Sequence, residues 1–166
     1  MFDFYRVWMF RKNIIMKKEI GDLKICIDEA NMFYVIAKEQ YDNDIEKLIN
    51  RMYPIVVNVS FACELYFKAI MMYRSKNKDE FNRGHELEKL FFALDYDDRE
   101  YIKEKFEEKF ENKCFCQFIK DNNKAFENWR YAFQNAVDTN ITELFGLVII
   151  LKEYVESIRS NIDDEK

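Results

Sequence analysis

A chain of 166 residues, 49% hydrophobic and 34% charged, is long enough to close one core and bury roughly 70% of its unfolded surface. Three glycines and one proline argue against an all-β fold, which needs a turn every few residues. The net charge of -5 argues against a protein that coats nucleic acid non-specifically, although local basic patches remain compatible with it.

Residues 1–15, MFDFYRVWMFRKNII, combine aromatics with scattered positive charge and have no unbroken apolar stretch or small-residue cleavage site. Their charges do not segregate to one face, so the segment is expected to dock on the fold or to be superfluous to it, with Met16 an alternative start, rather than to lie on a membrane. The first core helix is expected over residues 25–42, with Ile25, Ala30, Phe33 (or Tyr34) and Ala37 at helical spacing. Asp42-Asn43-Asp44 interrupts it and a second helix begins near Ile45, with a break or kink before Pro54. From Ile55 to Tyr73 only Asn58, Ser60, Glu64 and Lys68 are polar. The last three are spaced by four, which stacks them on one line of a helix that is otherwise apolar all round.

A charged loop over Ser75–Arg83 ends at Gly84, and a short helix follows with Leu87, Leu90, Phe91 and Leu94 on one face. Asp97-Asp98 opens a fourth helix in which Ile102, Phe106, Phe110, Cys114 and Phe118 recur at steps of four. After a turn at Asp121-Asn122-Asn123, a fifth helix carries Phe126, Trp129, Phe133 and Val137, and Asp138-Thr139-Asn140 caps a sixth that runs from Ile141 to about Ile158. Residues 161–166 are expected to form a frayed acidic tail. The fold class expected is an all-α, up-and-down bundle of five to six helices, with residues 16–160 as its single domain. The apolar run Leu144–Leu151 is too short to span a bilayer, and the chain is expected to be soluble.

Cys26, Cys63, Cys114 and Cys116 lie among apolar residues without paired C-x-x-C spacing, which suits reduced thiols in the core of a cytoplasmic protein. No metal site and no cofactor are expected: the C-x-C pair has no companion, and one histidine cannot build a multi-histidine centre.

Charged groups on apolar helices ask for partners, because an unpaired buried charge costs several kcal/mol. Glu64 and Lys68 sit on the central helix, Arg130 shares the stripe of Phe126, Trp129 and Phe133, and His85 is the only histidine. Glu64 and Arg130 are natural partners, since a guanidinium takes a carboxylate in a fork, and Tyr131 can add a hydroxyl at the same edge. For each of these groups the alternative is structural: an ion pair for Arg130, a packing or helix-start residue for His85.

Three segments carry a family resemblance: FACELYFKAI at Phe61–Ile70, GHELEKLF at Gly84–Phe91 and FENWRY at Phe126–Tyr131. In this order and spacing the chain resembles the HEPN superfamily (higher eukaryotes and prokaryotes nucleotide-binding domains) over about residues 28–160. The resemblance implies a helical bundle, often homodimeric, in prokaryotic defence, toxin–antitoxin or stress systems. Its implied partners are RNA or a nucleotide, and an antitoxin or nucleotidyltransferase-like protein. Many members are metal-independent RNases marked by Arg, four to six residues, then His on one helix. Here Arg130 is followed by Tyr131, Ala132, Phe133, Gln134, Asn135, Ala136 and Val137, with no histidine in reach. Two functions follow. The favoured one is a non-catalytic domain that binds RNA, a nucleotide or a partner protein, with Glu64–Arg130 as internal scaffolding; across the two readings Glu64, Lys68 and Tyr131 are the binding or orienting groups. The other is an RNase with a displaced catalytic pair, His85 moving the proton and Arg130 holding the phosphate.

Overall fold

The structure, a computed structural model, describes residues 3–41, 45–74, 84–111, 113–130 and 140–164, with the backbone alone for 3–21, 45, 129–130 and 161–164. The described residues form helices and connections only: α1 (Asp3–Gln40), α2 (Ile45–Tyr73), α3 (Leu87–Ala93), α4 (Tyr96–Lys109), α5 (Phe115–Asp121), α6 (Ala125–Arg130) and α7 (Ile141–Asp164). This is the all-helical bundle that the apolar periodicity predicts.

The central member is α2. It packs against α1, α3, α6 and α7, and Ile55, Val56, Val59, Ala62, Cys63, Tyr66, Phe67 and Ile70 along it have no exposed surface. That surround explains why its sequence is apolar on every side. The helix is long and apolar enough to cross a bilayer, but 72% of its most apolar stretch is buried inside the fold.

Two local expectations give way. Pro54 does not break α2, which runs through it from Ile45 to Tyr73. Pro54 lies on the exposed face, so the Asn50 carbonyl that loses its amide partner faces water rather than the core, and the Asn58 side-chain amide donates to the Pro54 carbonyl at 2.7 Å. The first helix is also much longer than residues 25–42, starting at Asp3 and ending at Gln40. Gly21 is the one glycine in that span, and its cost of about 1 kcal/mol does not outweigh the turns on either side.

The row from Ile102 to Phe118 is not one helix. It divides at Phe110, which closes α4, and α5 starts at Phe115, whose amide donates to the Glu107 carboxylate at 3.1 Å. Aromatic burial explains the turn. Phe106 and Phe118 would stand about 18 Å apart on a straight helix, whereas here their rings stack at 4.6 Å, with Phe115 packed edge-on at 5.2 Å from Phe106. Gly146 on α7 completes this corner, because any side chain there would run into the Phe110 ring. The turn also brings Cys114 and Cys116 to the surface, against the expectation that they are core thiols, whereas Cys63 is buried and Cys26 partly so.

Asn140 caps α7 as the sequence predicts. Its side-chain oxygen accepts from the amides of Thr142 and Glu143 at 3.1 and 3.3 Å, and its amide donates to the Glu143 carboxylate.

Candidate functional site

The polar line on α2 is real and mostly interior. Ser60 is fully buried, Glu64 is 1% exposed, and Lys68, one turn on, is 18% exposed at its side chain. A lone carboxylate in such surroundings is costly, and two partners answer it. The Lys68 ammonium donates to Glu64 Oε1 at 2.6 Å. From the other side His85 Nδ1 lies 3.0 Å from both Glu64 oxygens. The His85 side chain is itself 49% exposed, so the carboxylate is sealed while the ring it holds reaches solvent.

Backbone geometry aims His85 at α2. Gly84 has φ of +99°, a conformation that L side chains rarely adopt, and it turns the chain so that the next residue faces Glu64. The carboxylate accepts, so a neutral His85 carries its proton on Nδ1 and leaves Nε2 as the remaining ring nitrogen. A charged group thus sets the tautomer of a half-exposed imidazole.

Aromatic rings form the flank. The Phe126 ring of α6 lies 5.7 Å from the His85 ring and stacks on Phe61 at 5.0 Å, and Phe61 meets Phe33 of α1 edge-on at 4.6 Å. All three phenylalanines are half-buried. Behind them Cys26 donates its thiol to the Leu65 carbonyl at 3.4 Å. Burial foremost, then the nearby Glu29 carboxylate, pushes that thiol up to about 11, so it stays protonated and serves as packing.

The sequence-derived site residues fall as follows. Glu64, Lys68 and His85 meet. Arg130 ends α6 one turn beyond Phe126, about 6 Å along the helix axis. Its side chain, and all of Tyr131, lie outside the described residues, so the expected Glu64–Arg130 fork lies outside them too. Among the described residues no cluster of three or more His, Cys, Asp or Glu side chains is placed to hold a metal ion.

One ionic cluster escaped sequence reasoning. Asp98 of α4, wholly buried, accepts two bonds from Arg74 just beyond α2, at 3.1 Å from Nε and 2.5 Å from Nη2, and a third from the Tyr154 hydroxyl of α7. Tyr101 stacks on Tyr154 at 4.6 Å. Burial and the Asp98 carboxylate push the Tyr154 phenol up to about 12. This clamp joins the end of α2 to α4 and α7 and leaves no acceptor of Asp98 idle, which marks it as architecture. Its only local signals were an Arg at a helix end and an Asp in a helix first turn.

No family model, no curated protein and no solved structure matches the chain.

Proposed function

We propose that this chain is a HEPN-like helical domain that binds RNA or a nucleotide at the rim formed by His85, Phe126 and Lys68. The observation that carries the proposal is the buried Glu64 carboxylate holding a half-exposed His85 ring. An imidazole whose Nδ1–H is fixed on a carboxylate leaves Nε2 to accept from a hydroxyl when the ring is neutral, and to donate to a phosphate oxygen when it is protonated. The adjoining Phe126 ring gives a base a face on which to stack, an interaction tolerant of base identity. Lys68 offsets the Glu64 charge, so a protonated His85 leaves the rim net positive. Arg130, at the end of the same short helix as Phe126, is the residue we assign to the phosphate.

The test is binding of a short fluorescent single-stranded RNA and of a mononucleotide to the parent chain, followed by His85→Ala and Phe126→Leu. Either change is expected to weaken binding about tenfold, a loss of about 1.4 kcal/mol. Unchanged affinity in both variants removes the rim from the binding site.

The same Glu64–His85 contact favours a second reading, a metal-independent RNase. His85 Nε2 would take the proton of a 2′-hydroxyl while its oxygen attacks the adjacent phosphorus and the 5′-oxygen leaves with a proton from water. Products ending in 2′,3′-cyclic phosphate, lost in His85→Ala, would mark it. Binding without any cleavage leaves the first reading alone.

A further inference from the structure

We propose that Asn123 is a positioning residue for His85, clamping the start of α3 from 35 positions away in sequence. The first turn of a helix carries amides with no partner inside the helix, normally answered by the N-cap side chain. The N-cap of α3 is Glu86, which makes no such bond. Its carboxylate is drawn instead to Lys89 and Lys124. Two of these amides are answered by one residue of the α5–α6 turn. The Leu87 amide donates to the Asn123 backbone carbonyl at 3.0 Å, and the Glu88 amide to the Asn123 side-chain oxygen at 2.9 Å.

The consequence is geometric. His85 directly precedes the N-cap, so pinning the amides two and three positions on, those of Leu87 and Glu88, restricts where its backbone leaves Gly84. The pinning residue lies three positions before Phe126, whose ring packs against the His85 ring. One turn, Asn123 to Phe126, therefore holds the imidazole twice, through the α3 amides and through ring contact. Asn122 sets the turn itself: its side-chain amide donates to the Phe118 carbonyl at 2.9 Å and its carbonyl accepts from Ala125 at 3.0 Å. Without the Asn123 side chain, the Glu88 amide is open to water and the Gly84–Glu86 segment loses one of its two ties to the α5–α6 turn. Glu64, the Phe126 ring and the single Leu87 bond to the Asn123 backbone would then be left to hold the imidazole.

The positioning role stands on these contacts, and its functional weight rests on His85 being the acting group of the proposed rim. The test compares Asn123→Ala with Asn123→Asp, which keeps a side-chain acceptor at the same reach, in the full chain. Three readouts are taken: amide exchange at Glu88, the nuclear Overhauser contact between the His85 and Phe126 rings, and RNA affinity. Asn123→Ala is expected to speed Glu88 exchange at least about tenfold, to lose the ring contact and to weaken RNA binding. Asn123→Asp is expected to restore all three. Asn123→Ser, which shortens the acceptor and preserves turn propensity, takes the place of the alanine variant if that one does not fold. Release of the Glu88 amide with the ring contact intact overturns the proposal. Loss of the ring contact without any change in RNA affinity upholds the positioning role and counts against RNA as the ligand of the rim.

Discussion

Replacing Lys68 by methionine isolates what the pair on α2 contributes. The change keeps the length of the apolar stem and removes only the ammonium, 2.6 Å from a carboxylate that is 1% exposed. Removing one partner of a buried pair costs about 3–5 kcal/mol, because the other charge is left without compensation. Glu64 retains His85, which is half in water and can answer part of the charge, so the lower end, about 3 kcal/mol, is expected. For a domain of this size that corresponds to a fall in Tm of about 6–12 °C. The double variant Glu64→Leu with Lys68→Met removes both charges and is expected to recover most of the loss. The coupling between the two sites is then about 2–3 kcal/mol, well outside additivity. Urea unfolding followed by far-UV circular dichroism measures the two single variants, Lys68→Met and Glu64→Leu, and the double. A Lys68→Met protein within about 0.5 kcal/mol of the parent, or single losses that simply sum in the double, would refute the interior pair.

Two further outcomes follow from the clamp and the thiols. Asp98→Asn replaces a carboxylate that takes three bonds, and the loss is expected at about 2–3 kcal/mol in urea unfolding, since Arg74, with 37% of its side chain exposed, can turn to water. In the same variant the Tyr154 phenolate no longer faces a negative charge, so an ultraviolet difference titration should show one phenol ionising at lower pH than about 12, while burial keeps it above an ordinary tyrosine. Alkylation of the native protein at mildly alkaline pH, read by mass spectrometry, should label the exposed Cys114 and Cys116 first. Cys26, held near 11, and the still higher Cys63 thiol should react only after unfolding.

What was legible before the structure was whatever is written at a fixed spacing within one helix. Ser60, Glu64 and Lys68 stand four apart, so their alignment needs no tertiary knowledge. Gly84 likewise announced the end of a loop and the start of a short helix, and Asn140 announced a helix start. The Glu64–His85 contact was less accessible, because it bridges 21 positions and depends on how the chain returns after α2. Arg74, Asp98 and Tyr154 were invisible as a group for the same reason. Asp98 lies 24 positions from Arg74 and 56 from Tyr154, and taken singly an Asp in a helix first turn is explained by the helix dipole. The run of residues four apart from Ile102 to Phe118 misled because a straight helix and a folded-back pair share that period, and aromatic burial chose the second. Pro54 misled because the rule against proline inside helices weakens where the freed carbonyl faces water.

The central claim is that Glu64 fixes the His85 ring for use at the surface. With one histidine in the chain, nitrogen-15 shifts of the imidazole report that ring alone, and they distinguish which nitrogen carries the proton. At a pH where the ring is neutral, the account predicts the Nδ1–H form in the parent protein and a shift of the population toward Nε2–H in Glu64→Gln. A parent ring already in the Nε2–H form, and indifferent to the Glu64 substitution, would contradict it.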